Sequence, residues 1–226
     1  MRPTIIKGWD ISKEVYLEAD KQKKLVKLCI ELGTICNLDC KGCFTKNRDK
    51  TTKRLSFEEI IDLVQIAKNL GIKTIDIIGA GEPTINRHFY KLIDLIESEL
   101  NCVVFTNLYK PFKLSEKSYY VIKLWGYNED DYVGRRGYSA SKYKELELLL
   151  DQGLNLGTEI EVDGIHYLTT RLGADILVRN SNYQQVLNLF RLCRKNNIMP
   201  MIVDFIPNTE FEKKVSFDRL FPNQDY

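Results

Sequence analysis

The chain of 226 residues has no run approaching the roughly 18 apolar residues of a membrane helix. Its opening residues, Met1-Arg2-Pro3-Thr4-Ile5-Ile6-Lys7, lack the apolar core of a signal peptide. A cytoplasmic protein with no membrane partner is the expectation. Charge of one sign is lacking too, since 33 Lys and Arg stand against 31 Asp and Glu, a formal charge of +2. Such a balance pulls little on a phosphate backbone, which speaks against nucleic acid as a main partner. The one local excess, Lys21, Lys23, Lys24 and Lys27, reads as a solvated helix face. No linker rich in Pro, Gly or Ser, no low-complexity segment and no repeat of fixed period divides the chain. With 44% hydrophobic and 28% charged residues, what remains is ordinary composition for one sizeable core.

What is present is an alternation of short β-rich runs with longer helical ones, the signal for a parallel sheet with crossover helices. Strands are expected at 25–32 (LVKLCIEL), 73–78 (KTIDII), 102–106 (CVVFT), 120–124 (YVIKL), 173–179 (GADILVR) and 199–206 (MPMIVDFI). Ser56 and Glu59 form a capping box ahead of a stripe of Ile60, Ile61, Val64, Ile66, Ala67 and Leu70, which Gly71 can end. Further helices are expected at 88–100, 139–152 and 183–196, and a short one at 12–24. Residues 153–172 are ambiguous: TEIEV reads as a strand, or as half of a hairpin with HYLTT across Asp163-Gly164. Six βα units fall short of the eight that close a barrel. The expected fold is an α/β partial (βα)6 TIM-like barrel, an open parallel sheet with outer helices and its reactive face at the strands' C-terminal ends. Residues 1–24 are expected to form an N-terminal appendage, 25–208 the core domain and 209–226 a C-terminal tail.

Six cysteines do not form an evenly spread secreted framework, because three fall within eight residues: Cys36-Asn37-Leu38-Asp39-Cys40-Lys41-Gly42-Cys43. Soft thiolates in one loop select zinc, copper(I) or an iron–sulfur cluster. Structural zinc would need a fourth ligand, and only His88 and His166 stand beside Cys29, Cys102 and Cys193. Those last three cysteines lie in apolar contexts and read as inert and buried. Three protein ligands on a four-iron cluster leave one iron open, which suits chemistry better than electron storage.

The spacing C-x3-C-x2-C in a loop after the first strand of a βα-repeat chain resembles the radical S-adenosylmethionine superfamily. The resemblance implies that Cys36, Cys40 and Cys43 hold a single [4Fe-4S] cluster whose fourth iron is chelated by S-adenosylmethionine. Reductive cleavage would then give a 5′-deoxyadenosyl radical. The segment Gly79-Ala80-Gly81-Glu82-Pro83 resembles the family's Gly-Gly-Glu-Pro motif, with Ala80 for the first glycine. It implies cofactor binding there, with Glu82 toward the methionine amino group. Phe44 stands just after the last cysteine where relatives carry an aromatic just before it, and is the candidate for packing near the adenine. Thr106-Asn107 resembles the family's Thr-Asn-Gly step with Leu108 in place of glycine, which makes Asn107 a further cofactor-site candidate. Arg135-Arg136-Gly137 resembles an Arg-Gly step found before the fourth helix. Arg179, Asn180 and Asp204 lie at strand ends where they could face the cavity.

No cysteine follows Cys193, so no auxiliary cluster is expected. The implied activity is hydrogen abstraction from a small-molecule substrate, with an external electron donor such as flavodoxin or ferredoxin. Two alternatives stand beside it. One is an activating enzyme that places a radical on a partner protein or modifies a peptide. The other, of a different class, is an iron–sulfur electron carrier or sensor without S-adenosylmethionine cleavage.

Overall fold

The computed structural model describes residues 3–6, 13–41, 43, 45, 55–109, 115, 117–178 and 182–204. The chain runs through β1 (Thr4–Ile6), α1 (Lys13–Lys21), β2 (Lys27–Glu31), α2 (Phe57–Asn69), β3 (Thr74–Ile78), α3 (Phe89–Glu97), β4 (Asn101–Thr106) and β5 (Tyr119–Lys123). It continues through the single turn α4 (Asp130–Val133), α5 (Tyr138–Asp151), β6 (Glu159–Val162), β7 (Ile165–Thr170), β8 (Leu172–Val178), α6 (Tyr183–Lys195) and β9 (Met199–Asp204). Six strands form one sheet in the order β2-β3-β4-β5-β8-β9, and every neighbouring pair is parallel. The expected open, partial barrel is what the chain adopts. Pro200, which cannot donate to a ladder, lies on the edge strand β9.

Strand alternation divides the sheet into two faces. Ile75, Ile77, Val104, Ile122, Ala174 and Ile176 point to the helices and join Val64, Phe89, Leu92, Leu146 and Leu189 in the main core. Val103, Val121 and Met199 point to the concave side and pack with Ile6 of β1. Concave residues further along the strands, toward their C-terminal ends, are left facing a cavity.

Helix α2 begins at the expected capping box: Glu59 N–H donates to Ser56 Oγ at 3.1 Å, and Ser56 N–H to Glu59 Oε2 at 2.6 Å. Its buried stripe is narrower than the sequence reading. Ile60, Val64 and Ala67 are buried, whereas Ile61, Ile66 and Leu70 are 37–52% exposed. At about 100° per residue those three lie outside the arc that faces the sheet. The ambiguous stretch resolves as an antiparallel hairpin, β6 with β7, turning at Asp163 (φ 51°) and Gly164 (φ 75°). Two successive left-handed residues are what a tight hairpin turn requires.

Strand β1 has no counterpart in the sequence reading, because three residues carry no readable period. It pairs in parallel with β7 and brings Ile6, fully buried, to the N-terminal ends of the barrel strands. A Cβ on Gly173 would lie 2.9 Å from Ile6 Cδ1, so glycine at the start of β8 makes room for this plug. Burial of such a side chain contributes about 1.5–3 kcal/mol. Of the basic cluster, Lys23 is solvated beside Asp20, but Lys27 turns onto the sheet and meets Asp76 at 3.7 Å. No helix among the described residues is long and apolar enough to cross a membrane.

Candidate cluster and cofactor site

Cys36, Cys40 and Cys43 line one cavity of about 310 Å³ at the C-terminal ends of the strands. Gly79, Ala80, Gly81, Glu82 and Asn107 line it with them. Pro83 is buried and begins a 3-10 turn, Pro83–Ile85, behind that wall. Phe44, Arg179 and Asn180 lie outside the described residues, as does the side chain of Asp204.

The cysteine loop is pinned from three sides. Asp39 N–H donates to Val133 O at 3.1 Å and Lys41 N–H to Tyr132 O at 2.9 Å, so α4 holds the backbone on both sides of Cys40. Glu82 N–H donates to Ile35 O at 2.9 Å, one residue before Cys36. Asn107 Nδ2 donates to Asn37 Oδ1 at 2.8 Å and lies 3.8 Å from Cys36 Sγ. Beyond Cys43, whose Sγ is 3.0 Å from Thr45 Oγ1, the Thr45 hydroxyl donates to Ala80 O at 2.5 Å.

Burial raises the Cys36 thiol and, with Cys36 and Cys43 adding their own repulsion, pushes Cys40 up to about 12. Lys123 acts in the opposite direction on both thiols. Protons must therefore leave these sulfurs when a cation binds. Among the described residues no three His, Cys, Asp or Glu side chains are arranged to hold one metal ion. Three thiols lining one cavity are a donor set that fits a multi-iron group, in which each thiolate takes a different iron.

The glycines of the neighbouring loop are dictated by close approach. A Cβ on Gly81 would sit 2.0 Å from Ile35 O, and one on Gly79 would sit 1.9 Å from Gly81 O. Ala80 between them is buried and tolerated. The Gly81 backbone is thus packed directly against the cysteine loop.

Glu82, 5% exposed, is the hub of this region. Its Oε1 accepts from Thr84 N–H (3.2 Å), Thr84 Oγ1 (2.7 Å) and Thr106 Oγ1 (2.8 Å), and its Oε2 accepts from Asn107 N–H (2.8 Å). The carboxylate therefore ties the loop after β3 to the loop after β4, besides lining the cavity. Leu108 occupies a left-handed backbone (φ 53°), a conformation that favours glycine.

Tyr138, which also lines the cavity, donates its hydroxyl to Asn107 O at 3.0 Å. Lys142 and Glu129 form a fully buried ion pair. Glu129 Oε1 also accepts from Trp125 and Gly126 N–H, at 3.0 and 2.9 Å. Burial lowers the Lys142 ammonium, and Glu129 works against that shift. Asp130 then caps α5 through the N–H groups of Gly137 and Ser139. The Arg-Gly step thus belongs to a helix start. Arg135 lies 5.0 Å over the Tyr109 ring and outside the cavity wall.

Sequence reasoning missed the floor. Lys123, Trp125, Asp175, Leu177 and Val203 line the cavity from β5, β8, β9 and the loop after β5. Of the cysteines read as inert and buried, Cys102 and Cys193 are buried, but Cys29 is exposed. Edge strand β2 turns Cys29 to the same face as Lys27 and away from the helices.

Fold and site together define an α/β partial-barrel protein with three cysteine thiols lining one cavity at the C-terminal ends of its strands. The sequence model of the radical SAM superfamily matches residues 30–219, and the chain belongs to that family. Enzymes of this family use a [4Fe-4S] cluster and S-adenosylmethionine, and the thiols just described are of the kind and number that such a cluster needs. Among similar proteins is the GTP 3',8-cyclase of Syntrophomonas wolfei, 28% identical in an alignment 223 residues long that covers 91% of this chain and 63% of that protein. Another is the probable GTP 3',8-cyclase of Pyrococcus abyssi, 25% identical in an alignment 205 residues long that covers 88% of this chain and 63% of that protein. This chain spans less than two thirds of the length of either relative. Among solved structures, Streptococcus suis SuiB bound to S-adenosylmethionine superposes with a TM-score of 0.65, at 18% identity. The superposition covers 89% of this chain and 46% of SuiB, a likeness of fold.

Proposed function

We propose that this chain binds S-adenosylmethionine at a [4Fe-4S] cluster held by Cys36, Cys40 and Cys43 and initiates hydrogen abstraction from a small organic substrate. When bound, the cluster supplies one electron to the sulfonium and so yields methionine and a 5′-deoxyadenosyl radical. The electron comes from an external donor of the flavodoxin or ferredoxin kind. The chain's own residues do the rest. The three thiolates hold the cluster, Glu82 and the carbonyls of its glycine loop offer acceptors to the methionine ammonium, and Asn107 keeps the cysteine loop in register with that loop. The single observation that supports this reading best is that all three thiols and the Glu82 loop line one cavity. The GTP 3',8-cyclases among its relatives make a purine nucleotide the first substrate to try.

The test is anaerobic reconstitution with iron and sulfide, reduction with dithionite, and addition of S-adenosylmethionine with and without GTP. The expected products are 5′-deoxyadenosine and methionine in equal amounts. Stoichiometric zinc without iron or sulfide in protein purified without air would end the cluster assignment. A reduced four-iron cluster that never cleaves S-adenosylmethionine, with any candidate substrate, would favour an electron carrier instead.

A further inference from the structure

The cavity extends beyond the thiols to a floor built from the concave faces of β5, β8 and β9. Lys123 and Asp175 are register partners there, on neighbouring parallel strands. Asp175 Oδ1 is shielded from solvent and accepts no hydrogen bond among the described residues. Burial raises the Asp175 carboxyl, and Lys123 offsets that shift only in part. The indole Nε1 of Trp125 is likewise buried and without an acceptor among those residues, and it lines the same cavity.

Proteins leave few buried polar atoms unsatisfied, and those in a concave site are commonly reserved for a ligand. A carboxylate can only accept and an indole N–H can only donate. The complementary ligand presents an N–H donor to one and an acceptor to the other. Strand position separates this subsite from the cofactor loops. Glu82 follows β3, whereas Asp175 lies on β8, three strands further along the sheet. It also lies three residues before the end of β8, below the level of the loops.

We propose that Asp175 is the substrate-anchoring residue, its carboxylate accepting hydrogen bonds from the N–H groups of a nitrogenous small molecule seated on the cavity floor. The proposal rests on the radical-enzyme reading above. The N–H groups have two possible sources, the edge of a purine base or an aliphatic amine. The Trp125 indole N–H meets an acceptor of the same ligand and fixes its orientation. Leu177 and Val203 supply the apolar contact under it.

The test uses the full chain, reconstituted anaerobically and saturated with S-adenosylmethionine, titrated calorimetrically with GTP and separately with 1,5-diaminopentane. Wild-type protein is expected to bind one of them. Asp175→Asn should weaken that binding at least tenfold and Asp175→Leu should abolish it, while cluster content and S-adenosylmethionine affinity stay unchanged. A loss confined to GTP assigns a purine edge, and one confined to the diamine assigns an amine. Without any probe, Asp175→Asn should melt at a higher temperature than wild type, since it removes a carboxylate whose burial Lys123 offsets only in part. Binding of neither probe to wild type, equal affinity in wild type and Asp175→Leu, or a lower melting temperature for Asp175→Asn would each overturn the proposal. Failure of the enzyme reading shows separately, as missing iron and sulfide or missing 5′-deoxyadenosine in wild-type protein.

Discussion

Replacing Glu82 with alanine removes the acceptor for four hydrogen bonds, two from backbone N–H groups of Thr84 and Asn107 and two from the hydroxyls of Thr84 and Thr106. The hydroxyls can rotate toward other partners, and Thr106 Oγ1 already accepts from Leu108 N–H at 3.1 Å. The two N–H groups cannot turn. Each donor left unsatisfied in a buried place costs about 1–3 kcal/mol, so the expected loss for the two is roughly 2–6 kcal/mol. For a domain of this size 1 kcal/mol corresponds to about 2–4 °C, and the melting temperature of the cluster-free protein should fall by roughly 4–24 °C. Glu82→Gln keeps one acceptor, which can face Asn107 N–H, but sets an NH2 group toward Thr84 N–H. It should lose about half as much. Thermal melts of both variants without cluster or cofactor separate this scaffold role from cofactor binding. A Glu82→Ala protein that melts like wild type, with S-adenosylmethionine binding as its only loss, would refute the reasoning.

Gly81→Ala would place a methyl carbon 2.0 Å from Ile35 O, an overlap with backbone that only displacement of the cysteine loop can relieve. Iron and sulfide bound per chain should drop severalfold in that variant, whereas Ala80→Gly should reconstitute normally. Lys142→Met strands the Glu129 carboxylate in a buried place. It should cost about 3–5 kcal/mol in denaturant melts, with part of the loss recovered by adding Glu129→Gln. Because the Asp175 carboxyl is raised above its ordinary value of 3.8, its native form holds the proton longer than its unfolded form. Its contribution to stability therefore falls as pH rises from about 3.8 through the raised value. The stability gap between Asp175→Asn and wild type should widen over that interval and stay level above it. A gap that narrows with rising pH would show the opposite shift.

Sequence alone goes far where the signal is local. The three cysteines sit in one loop within eight residues, and Glu82 lies four residues past the end of a β-branched strand. Neither needed any knowledge of tertiary contacts. The capping box at Ser56 is legible for the same reason, since it is a contact within a few residues, whereas the turn at Asp163-Gly164 was only one of two readings of an ambiguous stretch. Ile6 was not legible, because its partners Val103, Val121 and Met199 are about a hundred residues away or more.

The floor of the site shows what limits such reading. Lys123 and Asp175 belong to strands whose apolar residues occur without strict alternation, as both faces of the sheet are partly covered. In YVIKL and GADILV, nothing local tells whether Asp175 or its neighbour Ile176 points to the helices. Pairing decides it: Val121 opposes Gly173 and Lys123 opposes Asp175, and Val121 packs on Ile6. Once Ile6 is known to plug the concave side, Val121 and Gly173 must face it. Period two then carries Lys123 and Asp175 to the same side, one pleat nearer the thiols. The plug contributed by a three-residue strand at the start of the chain thus fixes which polar side chains the cavity receives.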